Sequence, residues 1–455
     1  MKQLKILVGV LCALLAGVII TSIIIDKKNG RDYNLGLSQN QNNEAGITTH
    51  QIDTMDSDTV GNSYTDLVVT QKEVALDNKA NIVENPENSG EIIVDAKLSE
   101  DEWKERFASG LTTSGINQAK AENFGLYCYE KLTPSLKQLY SEIYLTLKNY
   151  NNAVWICSLS PDDIDLAFNC VMNDHPEIYY TNGYLYTKYT SGDEIVKIQF
   201  NPTYTVTADN IKLYNGYIQE YYNAYKSELP AGASDYEKIK YTYEFVIINT
   251  EYNIQSPENQ NILSVFLMGE SVCQGYAKAF QYLLQKEGIE CTLVTGNVSQ
   301  NEGHAWNLVK CNGAYYYVDC TWGDTSYTNQ SGTEGSIDGI NFDYLNITTA
   351  DIEKTHFIDN CVEVPECVNM QDNYYVKEGL YFTSVDQEQI AAAFNKASYE
   401  GRASVELKCA DANVYNQMGS FLLDESHIFD YLSSSMDKAV YVKNQDLMIY
   451  SFAIR

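Results

Sequence analysis

The sequence predicts an α+β protein, and three observations support this fold class. Residues 97–150 carry apolar side chains at helical spacing, as in LTPSLKQLYSEIYLTLKNY. Residues 177–200 change to a period of two residues, with turn signals NG at 182–183 and SGD at 191–193. A later strand-like segment, HAWNLVKCNGAYYYVDC, has NG at 312–313, which favours a tight hairpin turn. Helices and antiparallel strands that occupy separate stretches of a chain are typical of the α+β class.

Shifts in composition divide the chain into five predicted segments. They are a transmembrane anchor or signal segment at 1–25, a disordered tether at 26–95, a helical module with a β-meander at 96–205, a core domain at 206–368 and a small α/β module at 369–455. The tether is rich in polar residues and poor in aromatic ones, so it cannot bury enough apolar surface to offset the entropy of ordering.

The N-terminal segment predicts attachment to a membrane. The uncharged, mostly apolar run from Ile6 to Ile25 is about as long as the ~20 residues that a transmembrane helix needs. No small-residue cleavage site precedes Asp26, which favours an uncleaved single-pass anchor over a cleaved secretory signal. Because the tail before the run is very short, we expect the folded part to be extracellular; cleavage would make it a secreted protein.

The charge and the cysteines restrict the possible partners. A net charge of −30 leaves no basic surface for phosphates, so we expect no nucleic acid as a partner. If Cys12 in the apolar run and one further cysteine, kept as a free reactive thiol, are set aside, an odd number of the 11 cysteines remains, which disfavours a complete disulfide framework. No CxxC pair or Cys/His cluster has the spacing of a zinc site, and no loop has calcium-ligand spacing, so we expect no metal or other cofactor.

One cysteine stands at the predicted start of a helix, in SVCQGYAKAF. Ser271 and Gln274 have the S-x-x-Q spacing of a capping box, which makes Val272 and Cys273 the first helical residues and Gly288 the end. Unpaired amides and the helix dipole favour a negative charge at Cys273, as a thiolate nucleophile requires. The alternative is a small apolar residue that fills a gap in the core.

The hairpin downstream predicts a base and a carboxylate on one face of a sheet. With a two-residue turn at 312–313, Trp306 would face Asp319 and His304 would face Thr321. His304 and Asp319 would then be diagonal neighbours, with Cβ atoms roughly 7 Å apart. A carboxylate that orients an imidazole supports a general base, and the other four histidines, His356 included, have no comparable partner in the sequence.

The segments SVCQGYAKAFQYLLQKEGIECTLVTG, GHAWNLVK and YYYVDCTWGD, in this order, resemble the transglutaminase-like superfamily of papain-like thiol enzymes. The resemblance covers roughly residues 210–365. It implies a papain-like core in which the Cys273 helix packs on an antiparallel sheet, and it extends more loosely to surface proteins of low-GC Gram-positive bacteria. It also implies Cys273 as nucleophile, His304 as base and acid, and Asp319 as the orienting residue.

Two further residues are candidates for lining the substrate site. Gln274 is one, although the predicted helix start would engage its side chain in capping. Trp306 is the other, with hydrophobic cover for the triad as the alternative. When the thiol attacks a carbonyl group, the backbone N–H of Cys273 would donate one hydrogen bond to the oxyanion that forms. The second donor stays open, because Leu267 stands where papain-type proteases have glutamine.

The sequence therefore favours an exported cysteine-dependent acyltransferase or hydrolase that acts on amide or isopeptide bonds in proteins or cell-wall peptides. All three residue types of the triad are present, which supports the enzyme. Two alternatives remain at this stage. One is a non-catalytic surface module that uses this fold for binding or for organising the cell wall, and the other is an intracellular peptidase with inverted membrane topology.

Overall fold

The computed structural model describes residues 68–75, 82–87, 92–298, 302–325, 339–433, 436 and 438–454. They divide into two compact units. The N-terminal unit contains the described residues up to Asn223 together with Asn360–Glu363, and the core unit contains Ala224–Asp359 and the chain from Val364 onward. The predicted membrane segment and the tether as far as residue 67 lie outside the described residues. Within these, no helix combines the length and the apolar character that crossing a bilayer requires.

The N-terminal unit is mainly helical and carries one sheet of four strands. Its elements are β1 (Val68–Ala75), α1 (Glu100–Ala108), α2 (Thr113–Glu122), α3 (Tyr127–Lys131), α4 (Pro134–Lys148), β2 (Val154–Trp155), α5 (Pro161–Asp174), β3 (Thr181–Ser191) and β4 (Glu194–Tyr204). The strand order is β1-β3-β4-β2, with β1 parallel to β3 and the other pairs antiparallel. Proline at the first helical position follows a Thr133 cap in α4 and a Ser160 cap in α5, as its fixed φ favours.

One strand of this sheet comes from the segment that composition assigned to the tether. Val68–Ala75 pairs along its whole length with β3, in register from Val68↔Gly183 to Ala75↔Thr190. The predicted disordered tether therefore does not extend over these residues. A polar strand can still be ordered where a neighbouring strand satisfies its backbone hydrogen bonds, which composition does not reveal.

Helix α6 (Ala208–Glu228) contains the boundary between the two units. The core unit continues with α7 (Asp235–Ile248), β5 (Glu251–Tyr252), β6 (Glu270–Ser271), α8 (Cys273–Lys286), β7 (Cys291–Val298), β8 (Glu302–Cys311), β9 (Ala314–Val318), α9 (Cys320–Gly323), α10 (Thr349–Ile352) and β10 (His356–Ile358). Its central sheet has the order β10-β7-β8-β9 and is antiparallel throughout. Helix α8 packs on β7 and β8.

The last part of the core unit forms a small sheet of its own. Its elements are α11 (Tyr374–Lys377), β11 (Tyr381–Phe382), α12 (Gln387–Tyr399), β12 (Ser404–Cys409), α13 (Ala412–Gly419), β13 (Tyr441–Asn444) and β14 (Ile449–Ala453). The strand order is β11-β12-β14-β13. The described residues thus combine helices with mainly antiparallel sheets, and the cysteine-bearing α8 packs on an antiparallel sheet. Both findings confirm the predicted α+β class.

Candidate active site

Cys273 is the first residue of α8, one position later than the capping box predicted. The residue before the helix is Val272, which makes no side-chain cap, so the prediction of a Ser271 cap was wrong. Ser271 instead ends β6, where its hydroxyl bonds the Asn259 carbonyl at 2.9 Å and the Ser264 hydroxyl at 2.6 Å. The tertiary contacts of Ser271 therefore replace the local cap, and the first helical N–H groups lie at the cysteine itself.

Gly275 permits this close approach of the preceding loop to the helix start. A Cβ atom at Gly275 would lie 1.9 Å from the Ser271 hydroxyl oxygen and 2.8 Å from the Asn259 carbonyl oxygen. Both distances are shorter than van der Waals contact allows. The side chain of Gln274 is likewise not used for capping, because its Nε2 donates to the Gln260 carbonyl at 3.0 Å. Gln274 is half-buried beside the cysteine.

The hairpin of β8 and β9 has the predicted register but ends sooner than predicted. Its pairs run from Cys311↔Ala314 to Asn307↔Val318, and both turn residues have positive φ, 49° at Asn312 and 86° at Gly313. The predicted pairing of Trp306 with Asp319 and of His304 with Thr321 is wrong, because β9 ends at Val318 and the chain turns into α9.

Asp319 lies just beyond the end of β9, where its carboxylate caps α9 and also receives two histidines. Oδ1 accepts the backbone N–H groups of Thr321 at 2.8 Å and Trp322 at 3.1 Å. Oδ2 accepts from Nε2 of His304 at 2.7 Å and from Nε2 of His356 at 3.0 Å. The carboxylate is fully buried. Its capping bonds hold it in one orientation, so it presents one fixed oxygen to both imidazole rings.

His304 connects this carboxylate to the cysteine. It pairs with Gly296 of β7 and is buried. Its Nε2 donates to Asp319, and its other ring nitrogen remains for the hydrogen bond with the Cys273 side chain. The structure thus brings together Cys273, His304 and Asp319, in the order that the sequence predicted.

His356 is the residue that sequence reasoning missed. It begins β10, whose pairing with β7 places His356 opposite Val298 at the edge of the central sheet. Its Nε2 donates to Asp319, and its Nδ1 lies 2.8 Å from the hydroxyl of Thr355, which can donate to it. No local pattern marks such a residue. Only the long-range pairing of β10 with β7 brings it to the carboxylate.

The electrostatics favour a charged His304 beside an ionised Asp319. Burial alone lowers the pKa of His304, but the neighbouring charges of Asp319 and Cys273 outweigh it and raise the pKa to about 10. Burial also raises the pKa of Asp319, yet the two histidines hold it well below its usual range. Burial lowers the pKa of His356, and the charge of His304 adds to this, so His356 is a neutral donor at pH 7.

Aromatic rings enclose the two histidines. Trp306 is fully buried and stacks on His304 with ring centroids 5.9 Å apart, while its edge contacts His356 at 4.9 Å. Of the two predicted roles for Trp306, burial favours hydrophobic cover over a place in the substrate site. Trp322, on α9, is half-buried and lies over His356 at 4.9 Å. Cys273 itself is 6% exposed.

His304, Asp319 and His356 also form a group whose candidate metal-binding atoms lie within 4.8 Å of one another. Hydrogen bonding accounts for this closeness, because one carboxylate oxygen accepts from both rings. A metal ion on the same atoms would have to displace both bonds, and it would remove the proton that His304 holds. The geometry therefore fits a proton-handling site better than a metal site.

Comparison with known proteins agrees with this geometry. The family model of the transglutaminase-like superfamily matches residues 224–320. The kyphoscoliosis peptidases of Mus musculus and Homo sapiens are each 24% identical over 106 residues. Those matches span 20% of this chain and only 16% of the relatives' length.

Two solved structures also match part of the chain. The crystal structure of a TGase is 14% identical, covers 31% of this chain and 44% of that protein, and has a TM-score of 0.23. The periplasmic domain of TgpA from Pseudomonas aeruginosa is 15% identical, covers 28% of this chain and 56% of that domain, and has a TM-score of 0.19. Within the core unit, residues 224–320 therefore form a region that matches the transglutaminase-like superfamily.

Proposed function

We propose that the chain is a cysteine-dependent acyltransferase or hydrolase that acts on amide or isopeptide bonds of proteins or cell-wall peptides through a thioester. The observation that carries this proposal is that His304, hydrogen-bonded to the buried carboxylate of Asp319 at 2.7 Å, also interacts with the side chain of Cys273. A thiol, a base and an orienting carboxylate in this order form the arrangement that activates a cysteine nucleophile.

The charges favour an imidazolium at His304 beside an ionised Asp319. The raised pKa of His304 keeps that ring protonated at neutral pH, so it can stabilise negative charge on the neighbouring sulfur and supply a proton to the leaving group. The position of Cys273 at the start of α8 stabilises the sulfur charge further. His356 acts as a positioning residue, because its bond to Asp319 restricts the carboxylate that orients His304.

In the first half of the reaction, the Cys273 sulfur attacks the carbonyl carbon and a tetrahedral intermediate forms. The carbon–nitrogen bond breaks as His304 gives its proton to the departing amine, and a thioester remains. In the second half, neutral His304 takes a proton from water or from an acceptor amine as that group attacks the thioester. The carbon–sulfur bond breaks, and the thiolate and the imidazolium are restored.

Two donors are candidates for holding the oxyanion of the intermediate. The Cys273 N–H belongs to the first turn of α8, where amides have no acceptor within the helix. The indole N–H of Trp322 is buried without an acceptor among the described residues, although its side chain keeps partial exposure. A buried donor without a partner costs about 1–3 kcal/mol. We assign the second position to Trp322, since an oxyanion would satisfy this donor only when substrate is present.

The burial of the site favours a second candidate, a non-catalytic binding module. Cys273 is 6% exposed and His304 is 2% exposed, which leaves little surface for a substrate. The same three residues would then be a structural network. Reactivity of the Cys273 thiol towards substrates and alkylating agents separates the two candidates.

The test measures turnover and acyl-enzyme formation together. The full chain is incubated with glutamine-containing peptides, with and without a labelled primary amine, and the products and the mass of the chain are followed by mass spectrometry. We expect Cys273→Ala to abolish both hydrolysis and amine incorporation, while Cys291→Ala, which removes a buried thiol from β7, leaves both intact. If Cys273→Ala retains the activity, or no acyl-enzyme forms on Cys273 with any peptide, the binding module is the better account.

We also propose that the chain is held at the cell membrane by its N-terminal segment, with the folded part outside. The support is the uncharged run from Ile6 to Ile25, which has the length of a membrane-spanning helix. Protease added to intact cells should degrade the folded part. Complete protection of the folded part, with degradation only after lysis, would contradict this topology.

A further inference from the structure

Three cysteines that are far apart in the chain meet inside the N-terminal unit. Cys128 lies on α3, Cys170 on α5, and Cys361 in the segment Asn360–Glu363. Their sulfur atoms all lie within 4.8 Å of one another. Cys128 and Cys170 are fully buried, whereas Cys361 keeps partial exposure. We call this group the thiol cluster.

The spacing of these sulfurs suits a metal ion better than a disulfide. The sulfurs of Cys170 and Cys361 are 3.9 Å apart. Ligands at a Zn–S distance of about 2.3 Å in a tetrahedral site have sulfurs roughly 3.8 Å apart. A disulfide would require about 2.05 Å and could join only two of the three.

Hydrogen bonds hold the two helical cysteines in their relative positions. The carboxylate of Asp174, the last residue of α5, accepts the backbone N–H of Cys128 at 3.0 Å and that of Tyr129 at 2.9 Å. The hydroxyl of Tyr140 donates to the same carboxylate at 3.1 Å. The start of α3 is therefore attached to the end of α5, one turn from Cys170, so these two sulfurs are positioned before any ion binds.

The sulfur of Cys361 receives a hydrogen bond that suits a thiolate. The side-chain amide of Asn173 donates to it at 3.3 Å. The sulfur of Cys170 lies 3.9 Å from the same atom. Outer donors such as the Asn173 amide orient metal ligands and stabilise their charge.

Three buried cysteines can also be ordinary small core residues. Two features oppose that interpretation. The cluster draws one sulfur from each of three separate segments, and the side-chain amide of Asn173 donates to one of these sulfurs. A cation among the sulfurs would make three thiolates favourable.

We propose that Cys128, Cys170 and Cys361 bind one thiophilic divalent metal ion, with Zn²⁺ as the expected ion, through their three sulfur atoms. The ion would fasten segment 360–363 to α3 and α5. Because Cys361 is partly exposed, a water molecule can complete a tetrahedral site. Binding releases the thiol protons, as metal binding to cysteine requires. The proposal does not depend on the catalytic role of Cys273.

The test uses the full chain with Cys273→Ala, so that the active-site thiol cannot act as a ligand. Zinc content is measured by elemental mass spectrometry, affinity by competition with a chromophoric chelator, and thiolate ligation by the charge-transfer absorption of Co²⁺. We expect about one zinc per chain and an affinity loss of more than about 100-fold in Cys361→Ser, because even outer-shell changes cost 10–100-fold. Cys157 is a buried cysteine of the same unit that lies outside the cluster, so Cys157→Ser should change neither the zinc content nor the zinc affinity.

A second measurement covers the case in which Cys361→Ser does not fold. In the chain that retains all three cysteines of the cluster, bound zinc should protect Cys128, Cys170 and Cys361 from alkylation, read peptide by peptide, while Cys367 is unaffected. Three results would overturn the proposal. They are absence of bound zinc, unchanged zinc affinity in a folded Cys361→Ser variant, and a Cys170–Cys361 disulfide in the chain as purified.

Discussion

Replacing Asp319 by asparagine should disable Cys273 while leaving the local structure in place. The asparagine Oδ1 can still accept the amides of Thr321 and Trp322, so the α9 cap is retained. Its NH₂ group, however, replaces the oxygen that accepts from His304 and His356. An NH₂ group cannot accept, so His304 must turn its unprotonated nitrogen towards residue 319 and its proton towards Cys273. This is the wrong tautomer for a general base.

The magnitude follows from the charge that the substitution removes. The Asp319 carboxylate is the main reason why the pKa of His304 is about 10 despite burial. Without it, the pKa should fall to the ordinary value of about 6.5 or below. At about 1.36 kcal/mol per pKa unit, the difference is about 5 kcal/mol, an upper bound because Cys273 contributes as well. The rate of alkylation of Cys273 should therefore fall by about 100-fold, which lies within this upper bound.

The assay is alkylation by iodoacetamide at about pH 6, where an ordinary thiol is almost fully protonated. Peptide-resolved mass spectrometry reports Cys273 separately from the other cysteines. Asp324→Asn is the matched control, since Asp324 is also buried and accepts a hydrogen bond, from Tyr276 at 2.8 Å. We expect rapid alkylation in the native chain and in Asp324→Asn. If a folded Asp319→Asn protein alkylates within about threefold of the native rate, the charge argument fails.

Four further predictions test other contacts. His356→Phe removes a bond to a charged group and should cost about 1.5–3 kcal/mol of stability and slow the alkylation of Cys273. Since the pKa of His304 is raised to about 10, its charge should stabilise the fold fully below about pH 6.5, and urea titrations should show this contribution disappearing as pH rises towards 10. Glu142→Gln leaves the buried guanidinium of Arg106 without its carboxylate and should cost about 3–5 kcal/mol in urea unfolding. Gly275→Ala should displace the start of α8 and reduce the alkylation of Cys273.

Each of these predictions has a control elsewhere in the chain. His427→Phe changes an exposed histidine and should leave stability and alkylation unaltered. The loss of stability with rising pH should vanish in His304→Asn. If the stability of His304→Asn depends on pH as that of the native chain does, His304 is not the group responsible. Lys104→Ala removes an exposed ion pair and should leave the free energy of unfolding unchanged. If Lys104→Ala and Glu142→Gln lose similar stability, burial of the Arg106–Glu142 pair is not the cause of the loss. Gly216→Ala, in open space on α6, should be tolerated, and equal tolerance of Gly275→Ala would refute the steric argument.

Several features of the site could be predicted because they depend on local patterns. The Asn312-Gly313 turn determines the register of β8 and β9, since both residues must adopt positive φ. The apolar face that begins near Cys273 predicts α8, and Gly288 follows its end with φ of 75°. These local signals were sufficient to select His304 and Asp319 from the titratable residues of the chain.

Other features could not be predicted from local patterns. The S-x-x-Q spacing predicted a capping box, but Ser271 forms hydrogen bonds with Ser264 and Asn259, which lie upstream in the chain. Period-two spacing predicted that β9 continues past Asp319. Instead, the Asp319 carboxylate accepts hydrogen bonds from backbone N–H groups of α9 and caps that helix, so the strand ends before it. In both cases local and distant groups compete to bond the same side chain, the Ser271 hydroxyl or the Asp319 carboxylate. The sequence does not show which of these groups lies near it in the fold.

By itself, the sequence determined the fold class, the order of the three proposed catalytic residues and the register of their hairpin, because periodicity and turn chemistry act over neighbouring residues. Only the tertiary structure decided that His356 shares the Asp319 carboxylate with His304, and that Cys128, Cys170 and Cys361 form one thiol cluster. The physical reason is the same for both. Each grouping depends on strand pairing or helix packing between segments that are distant in the chain, where no local periodicity links them.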